Sequence, residues 1–286
     1  MLDFLNGIIR VLPAKFKFRR NNRVMNRKVI CWTAVLAFAA LACGCGGKGA
    51  NQESGGGAPA ATATKTVDSS TVGSISGTIK LDGAAPTYKA INMSADPYCV
   101  KANAGHPVLP QEVVTGDGGT LANVVVYVKS GAEGYSFPTP TDSVTLDQKG
   151  CMYVPHVVAL MVGQQLSVVN SDDTTHNIHP TPADNREWNR SQPPKAPNIM
   201  DSFARPEVAI PVKCNVHPWM KSYIAVLANP LFAVTGKDGK FEIKGVPPGT
   251  YTIEAWQEKY NTMDQTVTVG ASEAKSGVDF TFKAGS

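Results

Sequence analysis

Residues 213–220 read KCNVHPWM, which puts Cys214, His217 and Met220 within seven positions of a chain that holds only 6 Cys, 5 His and 8 Met in 286 residues. The run EVAIPVKC (207–214) precedes them and YIAVLA (223–228) follows, so the three side chains sit on a turn between two strand-like segments. Upstream, VVNSDDTTHNIHP (168–180) places His176 just after another such segment, 38 residues before Cys214. One short loop cannot surround an ion, so a fourth donor must come from a neighbouring strand. A thiolate, two imidazoles and a distant thioether make the trigonal set with a weak axial Met that holds copper for electron transfer. Zinc fits less well, because structural zinc sites favour four Cys/His donors. Taken singly, Met220 reads as a core methionine and Cys214 as a buried thiol; their conjunction with two histidines points to metal.

Outward from this stretch the pattern is strands and turns. SISGTIKL, NVVVYVKS, SVTLD, QLSVVNS, KFEIKGV, TYTIEAWQ, QTVTVG and VDFTFK are short, β-branched and often alternating. Clusters such as TGKDGK and VPPGT separate them. No long segment has helical periodicity. The expected fold class is all-β, built as β-sandwich.

CNVHPWM together with HNIH resembles the cupredoxins, in particular the amicyanin- and plastocyanin-like members with Cys-x-x-His-x-x-Met on a short ligand loop and a first His in His-Asn-x-His. The resemblance covers residues 143–228 and includes VGQQLSVVNSDDTTHN. It implies a Greek-key β-sandwich with one type 1 copper held by His176, Cys214, His217 and Met220. It assigns His176 rather than His179, which three positions on along a strand turns away and is expected to be exposed or to support the ligands from behind. It also gives Asn177 a polar bridge from the ligand strand to the cysteine loop. In cupredoxins the copper His nearest the surface is the usual electron port, and Pro218 and Trp219 would form the apolar ring where a partner docks; the alternative is that Trp219 caps the core. Asp172 and Asp173 are expected to lie in a solvated turn.

With Cys214 on the metal, Cys99 and Cys151 remain, and in an exported chain two leftover cysteines read as one disulfide. The rival reading is a second metal site made of Cys99, Cys151 and His156 or His106. FAVTGKDGKFEIKGVPPGTYTIEAW (232–256) resembles the second half of a carboxypeptidase regulatory-like (transthyretin-like) sandwich. Residues 73–86 and 123–129 supply what its first half usually looks like. Either the metal-bearing block is inserted into a discontinuous sandwich, or an N-terminal β segment (73–142) extends the metal domain and 229–286 is a small separate module. Relatives of this kind frequently carry Trp-His-Glu where this chain has Trp256-Gln257-Glu258, so no further metal role is expected there.

The front of the chain has its own chemistry. Residues 1–30 hold eight Lys/Arg against Asp3, while from Cys43 onward 19 basic residues face 22 acidic ones. A near-neutral, slightly acidic mature part excludes nucleic acid as a partner. MNRKVICWTAVLAFAALAC (25–43) reads as an export signal, with Met25 as an alternative start, and its apolar run is short for a membrane span. ALACGCGG resembles a bacterial lipobox, with Cys43 lipidated, or else Cys45. Residues 1–45 are thus a signal, and 46–72, rich in Gly, Ala, Ser and Thr, are a flexible tether.

The expected function is an exported, lipid-anchored type 1 copper protein at the outer membrane, periplasmic or cell-surface, that carries single electrons to or from a cytochrome or oxidoreductase. The alternatives are copper storage or delivery with the same ligands, and a surface carbohydrate-binding or adhesion module. No nucleophile elbow, His-Glu-x-x-His or phosphate loop is present, so no enzyme activity is expected.

Overall fold

The computed structural model describes residues 65–285. The export signal, Cys43, Cys45 and most of the tether lie outside the described residues. Two β-sandwiches are built from interleaved stretches of chain. The first pairs a five-stranded sheet, in the order Arg190–Gln192, His176–Pro180, Glu207–Lys213, Lys221–Leu227, Val157–Met161, with a four-stranded sheet, Ile199–Asp201, Leu166–Asn170, Val144–Lys149, Met152–Val154. Lys221–Leu227 runs parallel to Val157–Met161, and Val144–Lys149 runs parallel to Leu166–Asn170. The remaining pairs of these two sheets are antiparallel.

The second sandwich draws Gly73–Asp82 and Val125–Ser130 into sheets with strands that come after residue 230. Val125–Ser130 lies between Phe232–Val234 and Gly249–Gln257, with Asn261–Val269 at the edge. Gly73–Asp82 pairs with Lys240–Val246, Ala274–Lys275 and Phe280–Lys283. Gly77 is required there: a Cβ at that position would stand 2.0 Å from the Val278 carbonyl oxygen.

Alternation in the sequence tells which face each residue serves. In Lys240–Val246, Phe241 and Ile243 point into the core while Lys240, Glu242 and Lys244 face water. VVYV (125–128) and YIAVL (223–227) are instead apolar on both faces, and the structure shows why. Val126 and Val128 enter the core of the second sandwich, and Ile224 and Val226 enter that of the first. The residues between them, Val125, Tyr127, Ala225 and Leu227, meet Val157 and Trp256 in a third cluster, where the two sandwiches pack. Tyr223 and Trp256 also contact there, with ring centroids 5.2 Å apart.

The stretch 73–142 is divided between the two cores, which the reading of it as one β segment did not anticipate. Met93 and Cys99, with Ile91, Tyr98 and Val108 beside them, pack into the metal-bearing sandwich. Within this stretch Pro97–Ala102 forms a six-residue helix capped by Asp96 and started by proline, a combination that satisfies backbone donors at a helix N-terminus.

In the second sandwich the Tyr251 hydroxyl donates to the Pro247 carbonyl at 2.6 Å, and burial raises its pKa to about 12. Tyr251→Phe keeps the ring and orphans that carbonyl. It is expected to cost about 1–2 kcal/mol, read as a lower midpoint in urea with an unchanged slope.

Candidate metal centre

His176 opens the strand His176–Pro180, and Cys214 follows directly on the strand Glu207–Lys213 that pairs with it. The loop then closes on itself: the Met220 amide donates to the His217 carbonyl at 2.9 Å, and the Cys214 amide to the Met220 carbonyl at 3.3 Å. This tight turn is what brings a cysteine, a histidine three positions later and a methionine six positions later to one end of the sandwich. Cys214, His176, His217 and Met220 are all buried. The two Nδ1 atoms lie 2.9 Å apart, and the His217 Nδ1 is 3.9 Å from Cys214 Sγ. One donor atom from each of His176, Cys214 and His217 falls within 4.8 Å of the others.

The histidines are oriented from behind. His176 Nε2 is 2.9 Å from Asp172 Oδ2, and His217 Nε2 is 2.9 Å from Asp96 Oδ2. Each ring thus turns one nitrogen to a carboxylate and the other to the thiol, the arrangement that fixes tautomer and ring plane in metal-binding histidines. Two ring nitrogens 2.9 Å apart can share one proton but cannot both carry one. A cation between them and the sulfur would replace that proton and satisfy all three donors. The donor set fits copper: soft sulfur, two imidazoles, and no water-facing oxygen among them.

Asn177 ties the two sides of the site together. Its Oδ1 accepts from the Asn215 amide at 2.6 Å and the Val216 amide at 3.3 Å, and lies 3.3 Å from Cys214 Sγ. The His217 amide donates to Cys214 Sγ at 3.3 Å. Burial pushes the Cys214 thiol up, but hydrogen bonds from His176 and the surrounding loop outweigh it, so its pKa falls from 9.0 to about 7. The lowered value means that the associated stability is complete above 9.0 and is lost as pH falls through about 7. Ultraviolet thiolate absorbance of the metal-free protein should therefore titrate with a midpoint near 7, with stability rising from there toward pH 9. A midpoint near 9 would show that the loop does not hold the thiolate.

His179 stands apart from the trio. It is half-buried, with Nδ1 3.1 Å from Asn215 Oδ1 and Nε2 2.6 Å from Glu187. Cys99 and Cys151 are bonded to each other, with Cα atoms 5.6 Å apart. His106 is exposed, and His156 is buried against Glu258 at 2.6 Å. A second metal site of the two cysteines with either histidine is not what the structure shows.

Two expectations are corrected. Asp172 is no solvated turn residue: it is 4% exposed and accepts from the Gly150 and Cys151 amides, both at 2.7 Å, as well as facing His176. Burial alone would raise its pKa, yet these bonds hold it below the ordinary carboxylate value. His217 is no surface port either. It is 2% exposed, covered by Asp96 and by Trp219, whose ring centroid lies 5.0 Å away. Trp219 itself is pinned by its indole N–H to the Cys151 carbonyl at 3.1 Å, while Pro218 and Val216 are exposed. Asp96 was not singled out from sequence, and Asp172 was read only as a turn residue. Asp96 had a usable signal, since Asp before Pro marks a helix start. Asp172 had none, because an Asp four residues before a His is common in turns.

Among known proteins, residues 225–283 match the carboxypeptidase regulatory-like domain family. No curated protein matches the chain. Among solved structures, a Cu(I) amicyanin variant is similar at 18% identity and a TM-score of 0.27, over 30% of this chain and 82% of that one. A purple cupredoxin from Nitrosopumilus maritimus is similar at 21% and 0.23, over 27% and 82%. The copper-containing nitrite reductase of Thermus scotoductus SA-01 is similar at 19% and 0.27, over 35% of this chain and only a quarter of that one. Likenesses this distant do not assign a function, and the metal centre stands on its own geometry.

Proposed function

We propose that this chain is an exported type 1 copper protein, lipid-anchored through Cys43, that carries single electrons to or from a redox protein such as a cytochrome. The observation that carries this reading is the convergence of Cys214 Sγ and the Nδ1 atoms of His176 and His217 in a buried pocket, with Met220 buried in the same loop. A copper ion bound there would supply a one-electron couple. Cys214, His176 and His217 would hold it, with Met220 as a weak further donor. The paired strands and the Asn177 bridge hold the donors in one arrangement, so little needs to move when an electron arrives or leaves. Burial keeps water off the metal, and a single ion stores a single electron.

Storage or delivery calls for ligands that a competing site can reach. Here His217 is closed by Asp96 and Trp219, which favours a resident metal. Stoichiometric redox titration of the copper form tests the reading. One reversible electron per chain, with copper retained through repeated cycles, is the expected result; loss of copper on each reduction would favour delivery.

A further inference from the structure

The two carboxylates behind the ligand histidines are not independent. Asp96 uses Oδ1 to cap the helix Pro97–Ala102, accepting from the Tyr98 amide at 2.7 Å and the Cys99 amide at 3.4 Å. Its Oδ2 faces His217 Nε2 and accepts from the Thr174 hydroxyl at 3.1 Å. Cys99, in the first turn of that helix, is bonded to Cys151. The Cys151 amide in turn donates to Asp172, the carboxylate that faces His176. The helix reaches the same carboxylate a second time, through the Tyr98 hydroxyl at 3.2 Å. A continuous circuit thus runs from His217 through Asp96, the disulfide and Asp172 to His176. The sulfurs lie inside it: Cys99 is grouped with Asp96 and His217, and Cys151 with Asp172 and His176, each trio of atoms within 4.8 Å.

A bond placed only to brace the fold could sit anywhere between the two segments. This one, closing a loop across a sequence separation of 52 residues, ends on the two residues adjoining the orienting carboxylates. We propose that the disulfide-stapled turn of Asp96, Tyr98 and Cys99 is a positioning clamp for the metal centre. It holds both imidazoles with Nδ1 on the Cys214 side and closes the outer edge of His217 to solvent. Asp96 and Asp172 are its positioning residues and the Cys99–Cys151 bond is its spring. The clamp's effect on metal rests on the copper reading above; its effect on His217 does not.

The test has a metal-free arm and a copper arm, both on the full chain. Diethyl pyrocarbonate modification of the metal-free protein, read residue by residue by mass spectrometry, should leave His217 at least tenfold slower than exposed His106. Asp96→Ala and the paired Cys99→Ser/Cys151→Ser variant should each remove most of that protection, and Asp96→Asn should remove part of it. Circular dichroism establishes that each variant is folded, and Thr174→Ala, which takes one bond from Asp96 without touching the helix cap, serves if the others are not. In the copper arm, loss of copper to a chelator should speed up about 10- to 100-fold in Asp96→Asn, the usual cost of removing a partner behind a metal-binding histidine. Its Cu(II) electron-spin resonance should change as well, which a merely structural role would not produce.

His217 as reactive as His106 in the wild-type chain overturns the clamp. So does protection unchanged in both Asp96→Ala and the cysteine pair. Opening of His217 with copper release and spectrum unchanged reduces the turn to a cover and overturns positioning. Failure of the wild type to bind copper, with the metal-free arm as expected, sinks the copper reading and leaves the closure standing.

Discussion

Cu(II) added to the metal-free protein is expected to bind at one per chain and turn it intensely blue, and Cys214→Ser is expected to stay colourless. The colour would come from charge transfer between a thiolate and Cu(II), so it reports that Cys214 itself is bound to the copper, which an oxygen-rich copper site would not show. Energetics favour the thiolate here. An ordinary thiol at neutral pH would spend about 2–3 kcal/mol on losing its proton to the metal; with a pKa of about 7, Cys214 is already half ionised. A serine hydroxyl has no such advantage, and its harder oxygen suits copper less. The affinity loss should therefore exceed the roughly 100-fold typical of removing a group behind a ligand. Met220→Leu should keep the colour, because Cys214, His176 and His217 remain. Copper uptake by the wild type without colour would sink the electron-carrier reading, since the three donors would then not act as one site.

How much of this was legible in the sequence depends on the range of the interaction. The ligand loop is local: spacing alone brings Cys214, His217 and Met220 together, and a strand end supplies His176. Strand alternation is local too, so an all-β chain could be read from short runs such as KFEIKGV. What could not be read are features decided by partners far along the chain. VVYV and YIAVL are apolar on both faces because a second sandwich packs against each, and no window of sequence states which partner that is. Asp96 lies 121 positions from His217, and only the folded chain shows that its carboxylate closes the imidazole edge. The reading that left His217 at the surface, ringed by Pro218 and Trp219, missed that closure. It took the loop as the outermost layer, whereas the helix after Asp96 adds another.

Asp172 shows the same limit with the larger stability consequence. Asp172→Ala is expected to lower stability by about 3–5 kcal/mol, because it leaves several buried donors without their acceptor at about 1–3 kcal/mol each. It strands the Gly150 and Cys151 amides, the Tyr98 hydroxyl and His176 Nε2 at once. In a unit of this size that corresponds to a melting temperature lower by roughly 6–20 °C. Asp172→Asn keeps an oxygen for some of these donors and should cost less, which separates the charge from the hydrogen bonds. The pH dependence then isolates the charge. Because these bonds hold the Asp172 pKa below 3.8 in the folded chain, its contribution is complete above that value and is lost as pH falls through the folded pKa. The stability gap between wild type and Asp172→Asn should therefore narrow below pH 4. A gap that does not narrow in acid would mean that Asp172 is already protonated in the native state, acting as a neutral hydrogen-bonding group and not as the anion that orients His176.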